Sequence, residues 1–86
     1  MDKIYVPIYD NGEIYEDNCT YAENFCFRNK QQCINWIEQQ NVNGIYYKFN
    51  DEYKYWGLGI NEKQAMKRNI SYPYGCYKIK ELILKD

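Results

Sequence analysis

The stretch GIYYKFNDEYKYWG, residues 44–57, sets a run of aromatic rings and two lysines between two glycines. Its β-favouring residues flank Asn50-Asp51, which reads as a hairpin. Register then decides which rings meet water, because a slip of one residue turns every side chain to the opposite face. A two-residue turn at Asn50-Asp51 pairs Phe49 with Glu52 and Tyr47 with Lys54, mixing charge into the apolar face. An odd loop over Asn50-Asp51-Glu52, or one two residues longer, gathers Ile45, Tyr47, Phe49, Tyr53 and Tyr55 on one face. Burial of one aromatic ring is worth about 2–3 kcal/mol, more than turn preference costs, so the odd register is expected. It leaves Tyr46, Lys48, Lys54 and Trp56 on the outer face as a candidate partner-binding surface. Trp and Tyr are the commonest anchors in protein interfaces, and beside lysine they also form a platform for unstacked bases.

The rest of the chain supplies a sheet and two helices. In KIYVPIYDNG, Ile4, Val6 and Ile8 alternate onto one face, and Asn11-Gly12 tolerates the positive φ of a hairpin turn or tight strand exit. Pro7 has no amide donor, so its strand is expected at a sheet edge, or with that position turned from its neighbour. One helix over residues 20–40 would need an apolar residue near 29 or 30, and RNKQQ supplies none. The reading is therefore a strand at NFCF, Asn29 as helix cap with Gln32 in the box position, and a helix over KQQCINWIEQQ. Cys33, Ile34 and Ile37 form its buried stripe, with Trp36 half-buried on the flank. Asn43-Gly44 suits a helix C-terminal cap. Asn61 caps a short helix that buries Ala65 and Met66, and CYKIKELILKD closes the chain as a strand whose change of phase near Glu81 suggests a bulge. The expected fold is a single α+β domain, residues 1–86, with a mainly antiparallel sheet of four to five strands. One main helix and one short helix pack on one face of it.

Eighty-six residues suffice for one thin core. No 18-residue apolar run is present, and the start MDKIYVPIYD lacks the basic end and continuous apolar stretch of a signal peptide, so a cytoplasmic protein with no membrane partner is expected. Charge is unevenly spread: residues 1–27 carry six acids against Lys3, while the remainder carries ten bases against six acids. The acids Asp10, Glu13, Glu16 and Asp17 cluster around the first turn and form a second candidate partner-binding surface, facing a basic partner. Their spacing does not match a calcium loop.

With no histidine, one serine and one threonine, most routes to nucleophilic and general-base catalysis are removed, leaving carboxylates and thiols. No enzymatic activity, cofactor or metal is expected. The cysteines Cys19, Cys26, Cys33 and Cys76 lack both an export signal and the close-spaced pairs of a zinc site, and are read as buried or half-buried free thiols.

The segments IYVPIYDNGEIYEDN and FCFRNKQQCINWIEQ, with the closing YKIKELILKD, resemble a loose group of small proteins from phages and prophages of low-GC bacteria. The Tyr-rich hairpin is a departure from that group. The resemblance implies an accessory protein that binds and inhibits or modulates a host or defence protein, such as a CRISPR effector, in the host cytoplasm. Two other readings accompany it. One is a small single-stranded nucleic-acid-binding protein using the hairpin's aromatic and lysine face. The other is a structural homo-oligomer, a homodimer for example, joined through the Pro7 edge or the aromatic face.

Overall fold

The computed structural model describes residues 2–14, 16 and 18–85. Along the chain run β1 (Lys3–Asp10), β2 (Thr20–Ala22), α1 (Lys30–Gln39), β3 (Asn41–Val42), β4 (Ile45–Tyr46), β5 (Lys48–Asn50), β6 (Tyr55–Gly57), α2 (Glu62–Lys67) and β7 (Cys76–Ile83). Five strands form an antiparallel sheet in the order β2-β1-β7-β6-β5, and β3 and β4 pair separately. This is the α+β architecture expected, with the two ends of the chain paired at its centre.

β1 and β7 run in unbroken register from Lys3 opposite Ile83 to Asp10 opposite Cys76, so the bulge expected near Glu81 does not form. The phase change in the sequence has another cause: Leu82, Ile83 and Leu84 are all exposed, at 39%, 51% and 40%. β1 is interior, not an edge. Pro7 is accommodated because its carbonyl accepts from Glu23 N at 3.0 Å on the β2 side. In an antiparallel strand a residue's N and O point the same way, so the missing donor faces the end of β2 and leaves the β7 ladder intact. Pairing on the β2 side then breaks and resumes only at the Tyr5–Phe27 bridge. The expected strand over NFCF is reduced to that one contact.

The alternation in β1 is real, but the helices lie on the other side of it. Tyr5, Pro7 and Tyr9 share the helix-bearing face with Tyr77 and Ile79 opposite them. Ile4, Val6 and Ile8 line the helix-free face, half-buried. At the end of β1, Asp10 Oδ1 accepts from Gly12 N at 2.8 Å, and Asn11 Oδ1 accepts from Glu13 N and Cys19 N, both at 3.1 Å. These side chains hold a tight exit from β1. Gly12 has φ +81°, and a Cβ there would lie 2.5 Å from the Tyr74 carbonyl oxygen.

α1 begins as its sequence dictates: Asn29 accepts from Gln32 N at 3.1 Å, satisfying one of the orphan amides of the first turn. Cys33 and Ile37 are fully buried and Trp36 is half-buried. The helix ends at Gln40 in extended backbone. Asn43 and Gly44, with φ of 50° and 89°, are instead the two positive-φ residues of a tight turn joining β3 to β4, in place of the expected helix cap. α2 has a full capping box between Asn61 and Gln64. It buries Ala65 but leaves Met66 80% exposed, because a six-residue helix presents only one short stripe to the core.

The core centres on Tyr77. Its ring lies 4.9 Å from Tyr47, 5.2 Å from Tyr9 and 5.7 Å from Trp36, and Cys33, Ile37, Trp56, Leu58, Ala65 and Ile70 pack in the same cluster. Among the cysteines, Cys33 and Cys76 are buried thiols as expected, whereas Cys19 and Cys26 are exposed.

Two predictions follow from this core and its turn. Burial pushes the Tyr77 phenol up to about 12 and the Cys33 thiol up to about 11, and raises Tyr47 and Tyr9 as well. Each is an acid whose folded value lies above its unfolded one. Its stabilising contribution is therefore complete below the unfolded value and is lost as pH rises through the folded one. In an alkaline titration, the last phase of phenolate absorbance should coincide with loss of circular dichroism, at pH above 10. Complete tyrosine ionisation with an intact spectrum would contradict this core. Gly12→Ala, which meets both a left-handed backbone and the Tyr74 carbonyl, should cost about 2 kcal/mol or more and lower Tm by roughly 10 °C. Gly44→Ala, where nothing lies within 4 Å of the added Cβ, should cost about 1 kcal/mol. Thermal melts of the two variants check the difference.

Candidate interaction groove

The hairpin of residues 48–57 takes a different register from the one expected. Phe49 sits opposite Trp56 and Asn50 opposite Tyr55, with residues 51–54 as the loop. Asn50 sets this length. Its Oδ1 accepts from Glu52 N at 2.9 Å and Tyr53 N at 3.0 Å, and its carbonyl accepts from Lys54 N at 2.8 Å. The side chain thus caps a single turn of chain as it would cap a helix, and Lys54 closes the loop at φ +60°.

The consequence for the rings is large. Trp56 turns inward and is 7% exposed, while Phe49 and Tyr53, expected in the core, are 43% and 61% exposed. Tyr55 is half-buried and stacks on Tyr53 at 5.7 Å. Tyr47 is buried at 4%, as expected. It leaves the hairpin altogether, lying between β4 and β5.

Between α1 and this hairpin lies an open groove of about 710 Å³, with apolar walls from Tyr5, Ile34, Phe49, Trp56 and Ile79. Lys30, Ile34 and Glu38 contribute from α1, four residues apart and so on one stripe, adjacent to the Cys33–Ile37 stripe that enters the core. Phe49 packs on Trp56 at 4.7 Å between ring centroids. Trp56 Nε1 donates to Glu38 Oε2 at 3.2 Å, which fixes the indole against the helix. Glu81 pairs with Lys3 at 3.7 Å. Lys30 and Lys54, on the rim, make no ion pair among the described residues.

The four hairpin residues expected on one surface are dispersed. Lys54 and Trp56 meet in the groove, with Trp56 as wall and not as exposed anchor. Tyr46, 50% exposed, sits on the separate β3–β4 hairpin. Lys48, exposed, lies opposite Gly57, on the sheet face away from Trp56. The stacking platform for bases is therefore not assembled by these four.

Of the acidic cluster, one carboxylate holds the turn. Asp10 is half-buried and accepts from Gly12 N and from Asn18 Nδ2. Glu13 and Glu16 are exposed, and the Glu13 carbonyl accepts from Asn18 Nδ2 at 2.8 Å. Asp17 lies outside the described residues. No group of three or more His, Cys, Asp or Glu side chains is placed to hold a metal ion among the described residues.

Sequence reasoning missed Phe49, Ile34, Lys30 and Glu38 as site residues. The signal for three of them was present as the spacing Lys30, Ile34, Glu38 along α1, which reads as an ordinary solvated face until Trp56 is placed beside it. No helix among the described residues is long and apolar enough to cross a membrane. No protein family, curated protein or solved structure matches the chain.

Proposed function

We propose that this protein is a non-enzymatic interaction module whose groove between α1 and the β5–β6 hairpin binds another protein. The observation that carries this reading is Phe49: a large ring 43% exposed, seated on a buried Trp that donates to Glu38, in the wall of an apolar groove. Rigid aromatic anchors beside a preformed apolar cleft are what interface hot spots are made of. The sheet edges favour recognition by side chains over strand addition, since β2 and β5 are three residues each and present few backbone groups to an added strand.

The partner class comes from the resemblance of the first half and last strand to small phage and prophage proteins. That resemblance points to inhibition or modulation of a host or defence protein, a CRISPR effector for example, in the host cytoplasm. A chain without histidine and with one serine and one threonine acts by occupying a surface and not by chemistry on a substrate.

Affinity capture from a low-GC bacterial lysate, followed by titration of the purified partner, tests the groove. Phe49→Ala should weaken binding by about 30-fold, the effect of losing a 2 kcal/mol hot spot, while Tyr46→Ala, on the separate hairpin, should leave it unchanged. Equal recovery of every bound protein by wild type and Phe49→Ala would remove the groove from the function.

A further inference from the structure

The groove holds more information than its apolar walls. Its two carboxylates are committed internally, Glu38 to the Trp56 indole and Glu81 to Lys3, whereas Lys30 and Lys54 on its rim have no carboxylate partner among the described residues. Both lysines also stand where local structure disfavours them. Lys30 opens α1, and the first turn of that helix carries no acidic residue. A helix N-terminus bears partial positive charge, so a cation there is unfavourable and an anion favourable. Lys54 adopts φ +60°, a conformation that suits Gly or Asn and costs a branched-Cα residue about 1 kcal/mol or more. Lys78 lines the groove as well and makes no ion pair among the described residues; of these three cations, two are held at locally unfavourable positions, the pattern of a binding requirement overriding local preference.

From this charge pattern we infer that the groove's occupant is a peptide segment of the partner that presents one bulky apolar side chain flanked by carboxylates. The inference rests on the reading of the groove as a protein-binding site and names the chemistry of what enters it. The apolar side chain lies against Ile34, Phe49 and Trp56. Flanking Asp or Glu side chains meet Lys54 at one end and Lys30, with the amides of the first turn of α1, at the other. A nucleic-acid backbone fits less well, because its evenly spaced phosphates would be brought against Glu38 and Glu81, whereas a peptide can place its acids only at the rim. The net charge of −1 likewise offers no general attraction to polyanions.

Selection of a random linear-peptide library on the immobilised protein, with affinities then measured by fluorescence anisotropy, tests the inference. Enriched peptides should carry a Trp, Phe or Leu flanked by Asp or Glu. Their binding should weaken with added salt, and Lys30→Glu and Lys54→Gly should each reduce it, the pair together by more than about tenfold. Both substitutions should at the same time raise Tm, one by favouring the helix dipole and the other by relieving the left-handed backbone. A merely structural role for these lysines would instead couple lost binding to lost stability.

Enriched peptides that are neutral or basic, or that bind the double variant as tightly as wild type, would overturn the inference. If such peptides still depend on Phe49, the groove remains a protein-binding site and only its charge preference is wrong. Absence of any enriched peptide, together with tight binding of a fluorescent single-stranded oligonucleotide that Lys30→Glu and Lys54→Gly abolish, would defeat both readings.

Discussion

The packing of Tyr77 against three other rings is the contact on which the rest of the structure depends. β7 lies at the centre of the sheet, with β1 on one side and β6 on the other, and Tyr77 is the residue of β7 that stands opposite both Tyr9 and Trp56. Its ring meets α1 through Trp36 and the segment after β4 through Tyr47. One side chain therefore ties the N-terminal strand, the main helix, the aromatic segment and the C-terminal strand together. The strands it joins come from opposite ends of the chain, so the loop-closure entropy of nearly the whole sequence opposes their pairing. Edge-to-face ring contacts add about 0.5–1.5 kcal/mol each beyond area burial, which is why a cluster of them at this crossing suits a chain with so thin a core.

What was legible in the sequence was local. Asn29 and Asn61 cap their helices because a cap is decided within four residues, and Cys33 and Ile37 enter the core because a ten-residue helix has one well-defined stripe. Alternation in β1 correctly grouped Ile4, Val6 and Ile8, but period two says only that they share a face. Which face receives the helix is decided by tertiary packing: Tyr5 and Tyr9, with Phe27 and Trp36, pack against the cluster that holds Tyr77, and Pro7 beside them is fully buried. Likewise Asn43-Gly44 carries the same positive-φ signal for a helix cap and for a hairpin turn. Only the pairing of Asn41 with Tyr46 separates the two.

The site was less legible because its decisive contacts are non-local. Within the hairpin, burial of Phe49, Tyr53 and Tyr55 competes only with turn preference. The term that decides the register is Trp56, which buries its indole against α1 and donates to Glu38 eighteen residues earlier. Neither partner is visible from within the hairpin. Once Trp56 turns inward, Phe49 must share its face, and a ring expected in the core becomes the exposed lip of a groove. The turn composition contained the other half of the answer: Asn50 was treated as a turn residue, whereas its side chain caps the loop and so belongs to the strand end.

The groove itself follows from the proportions of the fold. Five strands spaced about 4.8 Å apart extend about 19 Å across, while one helix is about 10 Å wide with its side chains. A single main helix covers two or three strands, and α1 is placed over the part of the sheet that Tyr9 and Tyr77 occupy. The short α2 closes one end of the core through Ala65 and has no length left to extend further. β5, the last strand added, therefore lies beyond the helix, and any large side chain it directs to that face remains at a rim. Filling the space would require a longer α1 first turn or a bulkier residue at Ile34. The sequence instead places Lys30 on that stripe, where it makes no ion pair among the described residues. A sheet wider than its helical layer thus creates the groove, and Lys30 and Lys54 line its edge.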